Sequence, residues 1–217
     1  MGFIKAIMKF FGGLLVFISL ALIFASNFDV NLVNSFDSHK DEMNGVIVNA
    51  TYDMIGEQTG LTKEQIEETC QNGSGELCGS FEENIQRNNP VNEIESQLKE
   101  TLHWANSVQN MGILLLIIGA VLFVLGLGWR SGIFNLSVSV IIACVFNYLF
   151  YRFALMEIVN SLVNSLVSGI PQSFVDDIYY VIDVIMNSAI AQTITFIIIV
   201  GVISIVIGII FFTIRKK

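Results

Sequence analysis

Three cysteines and two histidines are the residues whose side chains could do nucleophilic, redox or metal chemistry. Cys70 and Cys78 are separated by seven residues, two of them glycines, so the loop can close as a disulfide in an oxidising compartment. We predict that disulfide. A zinc site is disfavoured, because His39 and His103 are distant in sequence and two thiolates alone bind zinc weakly. Cys144 lies in an apolar run and is predicted to pack as a small apolar side chain.

The sequence contains no motif that assembles a catalytic site. Hydrolase elbows, phosphate-binding glycine loops, HExxH zinc motifs and EF-hand loops are all missing. Neither histidine has a neighbouring serine or cysteine suited to nucleophilic work. We therefore predict a protein that is not an enzyme and that uses no cofactor and no metal.

The composition points to a membrane rather than to the cytosol. Of 217 residues, 53% are hydrophobic and 14% charged, whereas soluble domains carry about 25% charged residues. The mean hydropathy is +0.68. The net charge of −8 argues against nucleic acid as a partner, because phosphates bind basic surfaces. The lipid bilayer is the first partner that the composition predicts.

Four runs without Asp, Glu, Lys or Arg are long enough to cross a bilayer, which takes about 20 apolar residues. These runs are 10–28, 101–129, 131–151 and 184–214. Within them we predict transmembrane helices TM1 at 10–28, TM2 at 107–129, TM3 at 133–152 and TM4 at 191–213. No A-x-A cleavage pattern follows the first run, so we expect a retained anchor rather than a signal peptide.

The charges predict the orientation, because cytoplasmic segments carry an excess of Lys and Arg. Segments 1–9, 130–132 and 214–217 together hold six basic residues and no acidic one. Segment 29–106 holds 15 acidic residues against four basic ones, and segment 153–190 holds four acidic residues. We predict a multi-pass cell-membrane protein with both termini and the 130–132 turn in the cytoplasm, and with 29–106 and 153–190 outside.

The two outer segments continue the helical period of the spans. Apolar residues from Leu32 to Met54 step by three or four, which predicts one helix from the membrane to about Ile55. Thr62 and Gln65 resemble a capping box that opens a short helix ending near Cys70. A second short helix is predicted at about 81–87, and Pro90 starts a helix that leads into the second span.

These elements predict an all-α integral membrane protein. Its four transmembrane helices form an antiparallel bundle that extends outside the bilayer, topped by a small disulfide-bonded helical extracytoplasmic cap. The outer segment 153–190 is predicted as a helical hairpin. Asn49 and Asn72 each begin an N-x-[ST] acceptor pattern for N-glycosylation on the outer side.

Small residues recur every seven positions in three of the spans, and small residues allow helices in lipid to approach closely. A seven-residue period also favours left-handed packing. These stripes either fit the four spans together within one chain or mediate contact with another chain. The predicted helix-packing residues are Gly12, Ser19 and Ser26 in the first span, Gly112, Gly119 and Gly126 in the second, and Gly201 and Gly208 in the fourth.

The prediction for function is an assembly, adhesion or accessory subunit that acts through the acidic outer domain. The expected partner is a second protein, or another copy of the chain, bound through the outer helices or the spans. The alternative is an oligomeric channel, because TM3 and the segment after it carry a mostly uncharged polar stripe. The candidate pore-lining residues of that alternative are Ser139, Asn147, Asn160 and Asn164.

The layout of spans and loops resembles that of tetraspan proteins, with both ends inside, a large and a small outer segment and a short inner turn. Animal tetraspanins place a multi-cysteine outer segment with a CCG signature between spans three and four. Here the larger segment lies between spans one and two. Claudin-like proteins carry a W-GLW-C-C pattern, which this chain lacks. The resemblance is therefore architectural, and architecture alone does not determine function.

Overall fold

The chain is helical in almost all of the residues that the computed structural model describes, which are 2–71, 90–166 and 172–215. A π-helical turn at Phe150–Ala154 joins the fourth and fifth α-helices. The α-helices are α1 (Gly2–Thr59), α2 (Lys63–Gln71), α3 (Pro90–Leu127), α4 (Trp129–Leu149), α5 (Leu155–Leu166) and α6 (Gln172–Arg215). The short helix predicted at about 81–87 lies outside the described residues.

Four helical stretches are long and apolar enough to cross a membrane, namely Gly2–Thr59, Val91–Leu127, Trp129–Ser161 and Tyr179–Ile214. Large apolar side chains also point away from the bundle in these helices. Leu125 of α3 is 65% exposed and Ile209 of α6 is 59% exposed. In water such a surface would be an aggregation hazard, whereas in a bilayer it faces lipid. The prediction of a multi-pass, all-helical membrane protein is confirmed by the number, length and apolar composition of these helices.

Helix α1 contacts α3, α4 and α6, and α4 also packs against α3 and α6. The rings of Phe24 and Phe196 meet edge to face, with centroids 5.9 Å apart. Apolar packing of this kind fills the bundle interior. The buried side chains of this cluster are Val16, Leu20, Phe24, Phe123, Val140, Ala143, Cys144, Tyr151, Ile190 and Ile197.

Glycines bring α1 and α3 together until their backbones touch. A Cβ atom added at Gly119 would lie 2.9 Å from Cγ2 of Val16 and 3.1 Å from the carbonyl oxygen of Gly12. A Cβ added at Gly112 would lie 3.0 Å from the carbonyl oxygen of Ser19. Small residues permit this close approach, and the dispersion attraction between the closely packed atoms then stabilises the helix pair.

The other small residues of the three stripes also lie against neighbouring helices of the same chain. A Cβ at Gly126 would lie 3.1 Å from Cβ of Met8, and one at Gly208 would lie 3.4 Å from Cβ of Ser137. Gly201 is looser, with its added Cβ 3.7 Å from Cβ of Cys144. The hydroxyl of Ser26 donates to the carbonyl oxygen of Ala105 across the α1–α3 contact at 2.8 Å. Contact of a stripe with another chain stays a prediction.

The chain reverses between α3 and α4 at Gly128, not within 130–132 as predicted, because 130–132 already belong to α4. Gly128 has a φ of 81°, which glycine adopts without the steric cost that a Cβ atom adds. Its amide donates to the carbonyl oxygen of Val124 at 2.8 Å. Gly132 follows one turn later, where an added Cβ would lie only 2.7 Å from the Cα atom of Val124. A single residue therefore suffices for the turn.

The π-helical turn at Phe150–Ala154 changes the face that the chain presents after TM3. A π turn holds one more residue than an α turn, so side chains beyond it are rotated by about 100°. Tyr151 within the turn is buried, and its ring lies 5.5 Å from that of Phe28. The polar stripe predicted to run from TM3 into the following segment is therefore interrupted at this point.

Candidate association surface

Helices α1, α3 and α6 continue without a break beyond their apolar spans. We call the described polar part, 29–71, 90–106, 155–166 and 172–190, the acidic extension. Phe36 of α1, Val91 of α3 and the pair Val181 and Ile185 of α6 form its buried core. Leu32, Met43, Val46, Ile47 and Leu98 pack around that core. The acidic extension is therefore a small bundle with its own core, held by the same helices that cross the membrane.

An ion-pair cluster ties α1 to α3 at the surface of the acidic extension. Lys40 of α1 and Lys99 of α3 each form a salt bridge with the carboxylate of Glu95. Their hydrogen bonds to this carboxylate lower the pKa of Glu95 to about 2. Lys40 is thus held against α3, while Lys99 and Glu95 form an i,i+4 pair within one helix.

The ion-pair cluster predicts a measurable dependence of stability on pH. Because the folded state lowers the pKa of Glu95, the cluster stabilises the fold fully above the ordinary value of 4.5, and this contribution is lost as the pH falls to about 2. As the pH falls through this range, we expect the thermal midpoint of Glu95→Gln to decrease slightly less than that of the unaltered protein. The difference should be small, because surface ion pairs contribute little to stability. Circular dichroism of the purified protein measures the thermal midpoint at each pH, and Glu93→Gln is the control. Equal slopes for Glu95→Gln and the unaltered protein would contradict the prediction.

Helix α2 begins with the predicted capping box. The amide of Thr62 donates to Oε1 of Gln65 at 2.9 Å, and the amide of Gln65 lies 3.4 Å from Oγ1 of Thr62. Ile66 is fully buried. The turn before α2 is tight, because a Cβ added at Gly56 would lie 2.9 Å from the carbonyl oxygen of Leu61. Local hydrogen bonds and this close turn fold α2 back beside the end of α1.

Polar contacts then fix α2 against α1. Lys63 Nζ donates to Oδ1 of Asn49 at 2.8 Å and lies 5.1 Å from the ring centroid of Tyr52. Burial and the carboxylate of Glu67 raise the pKa of Tyr52. A cation over an aromatic ring is worth about 0.5–1 kcal/mol at an exposed site. The end of α1 and α2 thus form one helical hairpin.

Exposed carboxylates occur along α1 in the acidic extension. From residue 29 to residue 59 the helix has six acidic residues and a single basic one, Lys40, which pairs with Glu95. We call the exposed members the acidic face. They are Asp37, Asp41, Glu42, Asp53 and Glu57. The acidic face therefore gives this part of α1 a net negative charge.

Buried polar contacts lie where α1 leaves its span. The side-chain amide of Asn31 donates to Oδ1 of Asn27 and to Oγ1 of Thr193 in α6, both at 3.0 Å. The Thr193 hydroxyl donates in turn to the carbonyl oxygen of Ala189. Burial raises the pKa of Asp29 in the same region. We did not predict this α1–α6 link from the sequence. The only feature of the sequence that indicates this link is the spacing of Asn27 and Asn31, which are four residues apart on a helix.

A cavity of about 280 Å³ lies between the start of α5 and α6. Its lining includes Met156, Asn160, Asp176, Tyr180 and Asp183. Both aspartates are exposed. The cavity therefore adds negative charge to the acidic extension.

The four candidate pore-lining residues do not share one described surface. Ser139 lines a second cavity at the opposite end of the bundle, whereas Asn160 lines the cavity between α5 and α6. The side-chain amide of Asn147 donates to the carbonyl oxygen of Ala143 in its own helix at 2.8 Å. The side chain of Asn164 lies outside the described residues. Pore lining by this set stays a prediction.

The structure covers only part of the predicted modification sites. Cys70 lies half-buried in the last turn of α2, and Cys78 lies outside the described residues. Asn49 is exposed but lies inside α1, where its side chain accepts the hydrogen bond from Lys63, whereas glycosylation acceptors usually lie in surface loops. Asn72 lies outside the described residues. Both the disulfide and the glycosylation stay predictions.

No three His, Cys, Asp or Glu side chains come together as a metal site in 2–71, 90–166 and 172–215. Nδ1 of His39 lies 2.8 Å from the carbonyl oxygen of Ser35, which makes this nitrogen the donor. No protein-family model, curated protein sequence or solved structure matches the chain.

Proposed function

We propose that the protein is a non-enzymatic four-span membrane subunit that binds a partner protein through its acidic extension. Its role is assembly, adhesion or accessory support of that partner. In this proposal the protein lies in the cell membrane with both termini in the cytoplasm, so that the acidic extension lies outside. The partner contributes a basic surface that meets the acidic face of α1.

The continuity of α1 is the observation that carries the proposal. The helix runs for 58 residues from Gly2 to Thr59, and the part beyond residue 28 rises about 45 Å at 1.5 Å per residue. Since no loop separates span from extension in α1, the acidic face has a fixed position relative to the bilayer. A preorganised surface loses little conformational entropy on binding.

The packing of the extension supports the same role. Its core is shared by α1, α3 and α6, and the cluster around Glu95 joins two of these helices. A surface built on helices holds its geometry better than one built on loops. Complementary charge would speed the encounter with a basic partner and would make that encounter sensitive to salt.

A disulfide between Cys70 and Cys78 would close the far end of the extension in this proposal. Cys70 ends the hairpin of α1 and α2, and seven residues separate it from Cys78. Such a bond constrains the unfolded loop and requires the oxidising compartment that the proposed orientation supplies. Mass spectrometry with and without reductant tests the bond.

Charge reversal of the acidic face tests the proposal itself. We expect Asp41→Lys combined with Glu42→Lys to reduce cross-linking of α1 to its partner in intact membranes several-fold, because two attractive charges become repulsive. Cross-linking followed by mass spectrometry measures the adducts. The yield of adducts from the unaltered protein should also fall as the ionic strength rises, because salt screens the attraction between exposed charges.

The matched control exchanges the two residues, Asp41→Glu with Glu42→Asp, and so keeps both charges. This variant should retain the adducts of the unaltered protein. Both sites are exposed, so neither variant is expected to unfold the helix. Identical adducts in the reversed and the exchanged variants would overturn the proposal that the acidic face binds the partner.

A further inference from the structure

A cavity of about 650 Å³ opens at the end of the bundle opposite to the acidic extension. Its walls come from the start of the span in α1, from Phe123 of α3 and from the start of α4. This volume is within the usual range of ligand cavities, about 300–1,000 Å³. The cavity lies among side chains that are apolar enough to be in the bilayer, so lipid is the ligand that reaches it first.

The cavity combines one charged side chain with mainly apolar walls. On α1, Lys9 lines it at the end of the span, and Gly13 and Leu14 line it one turn deeper. On α4, Asn135 and Ser139 add polar atoms. From residue 6 to residue 14 the α1 wall covers about 12 Å of helix axis at 1.5 Å per residue. One charged side chain and a mainly apolar wall on this scale match a phospholipid headgroup with the start of an acyl chain.

Gly13 provides the space inside the cavity. A Cβ atom added there would be 3.6 Å from Cζ of Phe123, which is ordinary contact, but a longer side chain would project into the cavity. Phe123 is buried, so the wall behind the cavity is fixed by the bundle core. The cavity is therefore preformed by packing.

The surrounding charge selects the type of headgroup. Lys9 and Arg130 lie at this end of the bundle, and no acidic residue is among the described residues that line the cavity. We propose that the cavity binds one anionic phospholipid, with its phosphate at Nζ of Lys9 and its upper acyl carbons against Leu14 and Phe123. Basic pockets between transmembrane helices bind anionic headgroups in this way. The ammonium of a zwitterionic headgroup would be repelled by the same charges.

Native mass spectrometry tests the site. The protein is released from nanodiscs that contain equal amounts of phosphatidylglycerol and phosphatidylcholine, and retained lipids are counted. We expect one phosphatidylglycerol to remain on the unaltered protein. Lys9→Ala should weaken its retention roughly fivefold, the contribution of one lysine near an anionic surface. Gly13→Leu should displace the lipid while it keeps every charge.

Lys5→Ala is the matched control, because Lys5 lies one turn earlier, is exposed and does not line the cavity. It should retain the lipid as the unaltered protein does. Equal retention of both lipids by the unaltered protein would overturn the proposal, and so would equal losses for Lys9→Ala and Lys5→Ala. Lys9 is exposed, so its replacement tests the site even where Gly13→Leu fails to fold.

Discussion

Replacing Gly119 with leucine is expected to destabilise the membrane bundle strongly. The first added atom would already lie 2.9 Å from Cγ2 of Val16 and 3.1 Å from the carbonyl oxygen of Gly12. A leucine adds three further carbons, so α1 and α3 have to separate along their length. Overpacking costs about 1–3 kcal/mol, and the upper end applies because backbone atoms cannot rotate away. Thermal unfolding in detergent and resistance to proteolysis measure the loss.

A pair of alanine substitutions separates the steric effect from the effect of helix propensity. Gly119→Ala and Gly201→Ala make the same chemical change in a membrane helix, but the Cβ at position 201 would have its nearest neighbour at 3.7 Å. Alanine is favoured over glycine in a helix by about 0.5–1 kcal/mol. We therefore expect Gly201→Ala to be neutral or stabilising and Gly119→Ala to be destabilising. Equal midpoints for the two variants would mean that α1 and α3 do not touch as described.

Replacing Asn34 with proline is expected to uncouple the acidic extension from the membrane bundle. Asn34 is an exposed residue of α1 just beyond the first span. Proline there removes one backbone hydrogen bond and clashes with the carbonyl of residue 30, at a cost of about 3 kcal/mol or more. Phe36 would then leave the core that it shares with Val91 and Val181. Hydrogen exchange in nanodiscs should accelerate in the extension while the apolar spans stay protected.

Asn34→Ala is the control, because it alters the same side chain and leaves the backbone free to stay helical. Its exchange pattern should match that of the unaltered protein. Cross-linking to the partner should fall with Asn34→Pro and persist with Asn34→Ala. Persistent cross-linking by the proline variant, despite fast exchange in the extension, would show that a fixed position of the acidic face is not needed for association.

The sequence predicts the spans well because bilayer thickness and apolar composition leave little choice. A charge-free run such as 184–214 has to satisfy its backbone internally, and only a helix does so in one segment. Periodicity also predicts the continuation of α1 beyond the membrane, although the helix extends to Thr59 rather than to about Ile55. The capping box at Thr62 follows from local hydrogen bonding, which depends on few residues.

Features that depend on pairs of distant helices are not predictable in the same way. The close approach at Gly132 depends on where α3 ends, and the positive φ of Gly128 decides that point. The hydrogen bond between Asn31 and Thr193 joins residues 162 positions apart. The π-helical turn at Phe150–Ala154 has no local sequence signal that we can identify, yet it interrupts the polar stripe on which the channel alternative was based.

Native mass spectrometry of the protein released from lipid nanodiscs after mild extraction tests the central claim most directly. We predict that the chain leaves the membrane alone or together with a different protein. Where a different protein accompanies the chain, we also predict that the complex of the two is lost in the variant with Asp41→Lys and Glu42→Lys. A closed ring of several identical copies, unchanged in that variant, would contradict the account and would favour a channel instead.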